Sequence, residues 1–473
     1  MILTREQINR YLRHIIIPEI SGQGQKKMLE SSVFICGENV KAVAPAAYYL
    51  AASGVGRIYC HFHDAEGFDT LFDNIRDLNG DVSIELSDGG NSDFRIFLGR
   101  PEFMLKMKKR ICNGFVPSII ALYSGWKGGI EVFRNMDGLS SFLSKLVADD
   151  LTSDVNTQDD SIHGEIFSTC LLGGLSAMEV IKLALDIGET ANDFLCFDLL
   201  SMEFVKVRDE ELKHTLHELS AGKRIVGPVV RLEDRKVLIV GTGGLGSPVA
   251  YALALAGVGT IGLMDYDNVE ISNLQRQIIH ATSRIGMPKV ESAAVFLKKI
   301  NPRLQINSYN TSLSKENVFE IIEGYDAVVD ALDNFPTRFL LNDACFFAKK
   351  PIIDAGVIRF DGTCMTILNP GGPCYRCRFP DVPSPGSTPS CSESGVLGPI
   401  PGIMGFLQSA EVVKLLSGQG NLLSDRIIFF DGLFFDFCTI KMSRKSNCPL
   451  CGKEPTIREL QEYVFMCTDP AKA

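Results

Sequence analysis

An internal duplication constrains the fold of this chain more than any other feature. Corresponding stretches in the two halves are residues 33–37 and 50–58 with 238–241 and 253–261, and residues 174–183 with 406–415. Repeats of more than 200 residues are typical of duplicated domains, not of a solenoid. A single hydrophobic core stops growing at about 250–300 residues, so the 473 residues predict two domains, at residues 1–220 and 221–473.

The pattern within each repeat predicts an α/β fold. A short β-branched run, a glycine turn, an alanine-rich stretch and a second apolar run indicate a strand, a helix and a strand. Further strands are expected at residues 325–330 and 351–354, and a helix at 289–300. We therefore predict two tandem Rossmann-like, doubly wound and mostly parallel sheets. A polar stretch predicts a linker at 206–226, and Pro, Gly and Ser predict a loop at 380–401.

Charge and composition limit the partners and the compartment. Lys and Arg total 47 against 57 Asp and Glu, a net charge of −10, which would repel nucleic acid. Because we find neither a secretory signal nor an apolar run of membrane-spanning length, we expect a cytoplasmic protein without a membrane partner. In that compartment the 14 cysteines favour metal binding, catalysis or burial over disulfides.

A glycine-rich turn follows the first strand of the second repeat. Glycines there let a backbone approach phosphate, and an acidic group at the end of the next strand can accept hydrogen bonds from a ribose. The candidate nucleotide-binding residues are Gly241, Gly243, Gly244, Gly246, Asp265 and Asp267. A dinucleotide dehydrogenase would show the same features, so this pattern leaves the nucleotide open.

The polar and charged residues that follow favour phosphate chemistry over hydride transfer. They are Asn273, Arg276, Lys289 and Asp333. Cleavage of an α–β phosphate bond builds negative charge that cations and a carboxylate-held Mg²⁺ neutralise. The alternatives are solvated surface charges at Arg276 and Lys289, and a helix N-cap at Asp333.

Two C-x-x-C pairs lie in the second half. Cys374 and Cys377 form the first, and Cys448 and Cys451 the second. Four thiolates with this spacing predict a closed tetrahedral Zn²⁺ site without an open catalytic position. A redox-active pair is the alternative.

Together these motifs resemble the ThiF/MoeB/HesA superfamily, to which ubiquitin-activating enzymes belong. The resemblance covers residues 230–455. It implies ATP-dependent adenylation of the C-terminal carboxylate of a protein or peptide, with release of pyrophosphate. It also implies roles for five residues: Asp265 for the ribose, Arg276 and Lys289 for the phosphates, Asn273 for the nucleotide pocket, and Asp333 for Mg²⁺.

Cys391 matches the position where some members of the family place a nucleophile. A thiolate there would attack the adenylate, followed by thioester or persulfide transfer, whereas a packing role is the alternative. The expected substrate is a small ubiquitin-like sulfur-carrier protein or a precursor peptide, because the chain lacks the large inserted cysteine domain of the eukaryotic enzymes.

The first half departs from the family pattern. Its turn, residues 37–42, carries Glu38 and Val40 where backbone must meet phosphate, and Phe62 takes the place of Asp265. Only this half has an R-Y-x-R motif, at residues 10–13, whose second arginine in the family reaches into the partner subunit's site. We therefore predict a pseudo-dimer, monomeric as a chain, in which Arg13 of an inactive half completes the active second half.

The predicted function is an ATP-dependent adenylyltransferase. One alternative is a non-catalytic scaffold or partner subunit of an activating enzyme. Another is an NAD-dependent oxidoreductase that uses the same Rossmann features, which Arg276, Lys289, Asp333 and the cysteine pairs disfavour.

Overall fold

A computed structural model describes residues 2–146, 160–220, 231–383 and 391–461. Side chains are described throughout these ranges except at residues 160–162 and 391–392.

The first half contains one eight-stranded sheet. Its strands are β1 (Ser32–Asn39), β2 (Arg57–Asp64), β3 (Ser83–Leu86), β4 (Phe94–Gly99), β5 (Ser118–Ser124), β6 (Lys127–Phe133), β7 (Phe194–Asp198) and β8 (Glu203–Val207). They are ordered β3-β2-β1-β4-β5-β6-β7-β8. The first five strands run parallel and the last three form an antiparallel meander.

The second half repeats this topology. Its strands are β9 (Lys236–Val240), β10 (Thr260–Met264), β11 (Gln305–Tyr309), β12 (Ala327–Asp330), β13 (Ile352–Ile358), β14 (Asp361–Ile367), β15 (Arg426–Asp431) and β16 (Asp436–Lys441). Their order, β11-β10-β9-β12-β13-β14-β15-β16, matches the first sheet strand for strand. The prediction of two tandem, mostly parallel α/β sheets is therefore confirmed.

Helices cover these sheets. They are α1 (Arg5–Arg10), α2 (Leu12–Ile15), α3 (Ser21–Glu30), α4 (Val40–Ser53), α5 (Phe68–Leu78), α6 (Pro101–Ile111), α7 (Met136–Lys145), α8 (Asp160–Leu185), α9 (Asp209–Ser220), α10 (Gly246–Leu255), α11 (Lys289–Ile300), α12 (Val318–Glu323), α13 (Phe335–Phe347), α14 (Tyr375–Arg378), α15 (Cys391–Ser394) and α16 (Pro399–Ser417). Short 3₁₀ turns lie at Leu232–Asp234, Ile271–Asn273 and Thr282–Arg284.

Two predictions about connecting segments were wrong in part, and residues 221–226 and 384–390 of these segments lie outside the described residues. The expected linker at 206–226 begins with the end of β8 and continues as α9, whose Leu212, Leu216 and Leu219 are buried in a core of the first half. Leucines at helical spacing were overlooked among the polar residues. The expected loop at 380–401 contains α15 and the start of α16.

The two halves share one hydrophobic core, built around α4, α8, α10 and α16. Matching lysines cross this interface. Lys182 pairs with Glu179 at 2.9 Å and donates a hydrogen bond to the carbonyl of Gly432, and Lys414 donates to the carbonyl of Leu200. Since Lys182 and Lys414 are buried in equivalent helices, each half supplies acceptors that the other half's cation needs. The halves pack as a pseudo-dimer.

Within the described ranges, the segment His163–Leu185 of α8 is long and apolar enough to cross a membrane. Most of this segment is buried inside the protein. It packs against α4 within the first half and against α16 of the second half.

Candidate active site

A cavity of about 630 Å³ opens at the carboxyl ends of β9, β10 and β12. The chain crosses from one side of the sheet to the other between β9 and β12, and ligands of open α/β sheets bind at such a switch point. The lining includes ten predicted residues: Arg13, Gly241, Gly243, Gly244, Asp265, Asp267, Asn273, Arg276, Lys289 and Asp333. Residues predicted from separate motifs therefore lie around one space.

The glycine turn between β9 and α10 needs its glycines for two reasons. Gly241 has φ = 97°, a left-handed conformation that favours glycine. A side chain at Gly246 would collide with the carbonyl oxygen of Gly241. Gly246 therefore lets the helix begin directly behind the turn, whereas Gly243 and Gly244 line the cavity.

Asp265 follows β10 and fixes the glycine turn. Its Oδ2 accepts hydrogen bonds from the backbone N–H of Thr242 at 2.8 Å and from the Thr242 hydroxyl at 3.0 Å. Its Oδ1 accepts from the backbone N–H of Asp267 at 3.0 Å. The carboxylate is thereby oriented at the cavity wall.

The buried His280 forms a hydrogen bond to the same glycine turn. Its Nε2 donates to the carbonyl of Thr242 at 3.0 Å, and its Nδ1 lies 2.9 Å from the hydroxyl of Ser292. Burial lowers the pKa of His280 to about 3, and the charges of Lys289 and Arg284 contribute to the shift. The imidazole is therefore neutral, with one tautomer set by these two contacts.

The two predicted phosphate-binding cations of the second half, Lys289 and Arg276, come from different elements. Lys289 begins α11, is buried, and pairs with Asp267 at 2.7 Å. Arg276 follows the 3₁₀ turn Ile271–Asn273 and donates to the carbonyl of Ser272 at 3.0 Å. Asn273 is buried and accepts from the backbone N–H of Glu270.

Asp333 is exposed in the cavity lining. It does not cap the following helix, because Asn334 does so by accepting from the backbone N–H of Thr337 at 3.0 Å. The alternative reading of Asp333 as an N-cap was therefore wrong.

A buried charge cluster at the cavity floor was not predicted from the sequence. Arg338 lies 3.7 Å from Asp330 and 3.4 Å from Asp354, and it also donates to the carbonyls of Leu332 and Ala355. Burial raises the pKa of both aspartates, that of Asp330 to about 7, against the opposing effect of Arg338. Arg338 thus holds the backbone that leads from β12 to Asp333.

Arg13 reaches the cavity from the first half. It lies in α2, and its carbonyl accepts from the backbone N–H of Val396 at 3.1 Å. The neighbouring His14 accepts at Nε2 from the backbone N–H of Gly398 and contacts Gln25 through Nδ1. Burial lowers the pKa of His14 to about 4, so a neutral imidazole joins α2 to the segment before α16.

The four predicted cysteines meet in a buried cluster. Cys374 and Cys448 have their sulfurs 3.6 Å apart, Cys377 and Cys451 have theirs 3.3 Å apart, and all four sulfurs lie within 4.8 Å of one another. A tetrahedral zinc with Zn–S bonds of about 2.3 Å would place its sulfurs about 3.8 Å apart. The donor set therefore fits a structural metal, which when bound would join residues 448–451 to residues 374–377.

Cys391 is the first residue of α15, and its side chain lies outside the described residues. The helix itself contacts α2 and β13.

The corresponding region of the first half is filled by its own side chains. Strand register aligns Gly37 with Gly241 and Leu98 with Ala331, which places Arg100 where the second half has Asp333. Arg100 pairs with Glu165 at 2.8 Å and lies 3.9 Å from Glu38.

The remaining equivalences follow from the same register. Phe62 pairs with Gly37 and is buried at the position of Asp265. Glu38, at the position of Thr242, accepts from the hydroxyl of Tyr123. Asn39 caps α4 by accepting from the backbone N–H of Ala42 at 3.0 Å. The first half therefore lacks a carboxylate at the position of Asp265 and lacks the open turn.

A comparison with protein-family models matches residues 225–450 to the ThiF family. The Thermus thermophilus sulfur carrier protein adenylyltransferase is 43% identical over 242 residues, 50% of this chain and 89% of that protein. The Haloferax volcanii SAMP-activating enzyme E1 is 44% identical over 239 residues, 50% of this chain and 88% of that protein.

A zebrafish (Danio rerio) relative, adenylyltransferase and sulfurtransferase MOCS3, is 44% identical over 243 residues. The match covers 51% of this chain and 53% of that protein, so the chain spans about half the length of such relatives. The two shorter relatives are covered almost completely. Together with the tandem sheets and the cavity, these matches show that the chain belongs to the ThiF family.

Proposed function

We propose that the chain catalyses ATP-dependent adenylation of the C-terminal carboxylate of a small ubiquitin-like sulfur-carrier protein or a precursor peptide. One observation carries this proposal: a single cavity is lined by the glycine turn, by Asp265, by the three predicted cations Arg13, Arg276 and Lys289, and by the exposed Asp333. The names of the Thermus and Haloferax relatives favour a carrier protein over a peptide.

The reaction needs positioning and charge neutralisation more than proton transfer. A carboxylate oxygen of the substrate attacks the α-phosphorus of ATP, and the bond from that phosphorus to the bridging oxygen breaks. The products are an acyl adenylate and pyrophosphate. Because the attacking carboxylate is already ionised at pH 7, the neutral His280 and His14 have no proton to accept.

We assign the proposed roles to residues that line the cavity. Asp265 would accept from the ribose hydroxyls, and the glycine turn would present backbone N–H groups to phosphate. Lys289 and Arg276 would neutralise the phosphates, with Lys289 exchanging Asp267 for a phosphate oxygen. Arg13 would complete the site from the first half by stabilising charge that develops in the transition state.

Asn273, Mg²⁺ and Zn²⁺ have separate proposed roles. Asn273 lines the cavity and would contact the nucleotide. Asp333 would hold Mg²⁺, which when bound neutralises charge on phosphate oxygens. Zn²⁺ would be held by the four clustered cysteines, and its free energy of binding would stabilise the folded second half.

Cys391 would act after adenylation. Its thiolate would attack the acyl carbon of the adenylate, so that a thioester forms and AMP leaves. The position of α15 between α2 and β13 supports this role. Because α8 and α16 pack together within one chain, we further propose that a monomer suffices.

ATP–pyrophosphate exchange tests the proposal. The probe is the sulfur carrier protein of Thermus thermophilus, supplied with its native C terminus or with a C-terminal amide in place of the carboxylate. We expect exchange with the carboxylate form alone. If neither this carrier nor peptides that end in a free carboxylate support exchange, the proposed enzyme activity is contradicted. That result would favour the alternative of a non-catalytic scaffold.

A further inference from the structure

The cavity extends well beyond the glycine turn. At one end lie the turn, Asp265 and Lys289. The other end, here the acyl end, is lined by residues of β14 and β15 and of the segment that carries the first cysteine pair: Thr363, Met365, Tyr375, Arg378, Phe379, Ile427 and Phe429. Under the proposed function, the substrate tail must enter through the acyl end, because the nucleotide occupies the other.

Arginines near the acyl end differ in how their charges are compensated. Arg376 forms a bidentate pair with Asp343, with both nitrogen–oxygen distances 2.8 Å. Arg338 lies between two buried aspartates. By contrast, Arg378 is exposed, and in the part of the chain that the structure describes no carboxylate lies within 4 Å of its guanidinium.

Aromatic rings hold Arg378 at the cavity. Its guanidinium carbon lies 5.5 Å from the ring centre of Phe379 and 5.7 Å from that of Phe429. Such cation–π contacts orient the planar group without using its N–H donors. Arg378 lines the cavity together with both rings, so a guanidinium whose donors match a carboxylate lies beside the proposed path of the tail.

We propose that Arg378 is a specificity-determining residue that selects acyl substrates with an acidic side chain in the C-terminal tail, upstream of the reacting carboxylate. This inference rests on the proposed function. Arg378 contacts Phe429 of β15, which three strands separate from β9 and its glycine turn, so it serves tail binding and not phosphate binding. Its loss should therefore raise the KM for the carrier and leave the KM for ATP unchanged.

The test uses the full chain and pyrophosphate exchange. Variants of the Thermus thermophilus sulfur carrier protein place Glu, Gln or Lys at each of the four positions that precede its last two residues. At one or two of these positions we expect the Glu carrier to have a KM ~10-fold below that of the Lys carrier, since a hydrogen-bonded charge pair forms there. The value of kcat should stay within about twofold, because the pair forms equally in the ground and transition states.

Charge reversal provides the matched comparison. Arg378→Glu should reverse the preference between the Glu and Lys carriers, and Arg378→Lys should keep part of it. The exposed Arg303 does not line this cavity, so Arg303→Glu serves as the control and should leave the preference as in the wild type. Equal KM values for all carriers, or a preference that survives Arg378→Glu, would overturn the inference while the proposed activity stands. Absence of exchange with every carrier would instead contradict the proposed function and this inference with it.

Discussion

The two halves have the same strand order but opposite chemistry at the switch point of the sheet. The second half leaves Asp333 exposed in a cavity. At the equivalent position the first half has Arg100, which pairs with Glu38 and Glu165. The two halves therefore keep the same strand order although the residues at the switch point differ. We attribute this to the helices that join the halves, because they need the sheets on which they pack.

The backbone of the two turns differs as well. In the second half β9 ends at Val240 and α10 begins at Gly246, so a turn separates strand from helix. In the first half β1 continues to Asn39 and α4 begins at Val40. A side-chain cap from Asn39 thus satisfies a helix N-terminus that the second half leaves facing a cavity.

The largest expected effect concerns the metal. Among the described residues, only the second half has a four-cysteine cluster that could bind it. We expect Cys374→Ser to remove the bound metal and to lower the unfolding temperature strongly, since metal binding contributes directly to folding free energy. Elemental analysis and calorimetry measure the two effects. Cys60→Ser, at a buried cysteine of the first half, is the control and should keep one metal per chain. Full metal content in Cys374→Ser would contradict the assignment.

The next effect concerns the equivalent positions Asp333 and Arg100. Asp333→Asn should lower the rate of pyrophosphate exchange by ~10²–10³-fold, because charge on the leaving phosphates loses its neutralising metal. Arg100→Ala should leave exchange within a few fold and lower stability, because Glu38 and Glu165 lose their partner. Similar exchange defects in the two variants would show that the halves do not divide the chemistry in this way.

The smallest effect is the pH dependence of stability, where each half contributes one buried histidine. His14 and His280 have pKa values of about 4 and 3 in the folded chain, below the unfolded value of about 6.5. The native state therefore binds fewer protons, and the free energy of unfolding falls as pH drops from about 6.5 toward 4, by at most ~1.4 kcal/mol per pH unit for each histidine.

Urea unfolding at pH 7, 6 and 5 measures this slope. His14→Gln and His280→Gln should each make it shallower. Asp330 acts in the opposite direction, since its raised pKa stabilises the native state at low pH and this contribution is lost as pH rises from about 4 to 7. The slopes are therefore compared between variants and wild type, and identical slopes would contradict the assignment of neutral buried histidines.

Local patterns were sufficient to predict the fold and much of the cavity lining. β-Branched runs and glycine turns indicated the sheets, and parallel strands bring their carboxyl ends together, so Asp265 and Asp333 were expected at one edge. The Arg338 cluster and His280 were missed because no sequence motif links these residues to their partners, which lie on other strands, helices and turns. The equivalence of Arg100 and Asp333 needed the strand register, since connections of different length precede the two residues.

The central claim is that the first half contributes Arg13 to a site that the second half otherwise forms. The most direct test measures the rate of ATP–pyrophosphate exchange by the full chain with Arg13→Ala. A separate titration measures the affinity of this variant for ATP. Arg5→Ala, at an exposed residue of α1, is the control. The account predicts a rate ~10²–10³-fold below wild type with ATP affinity changed only slightly. Wild-type exchange by Arg13→Ala would contradict it.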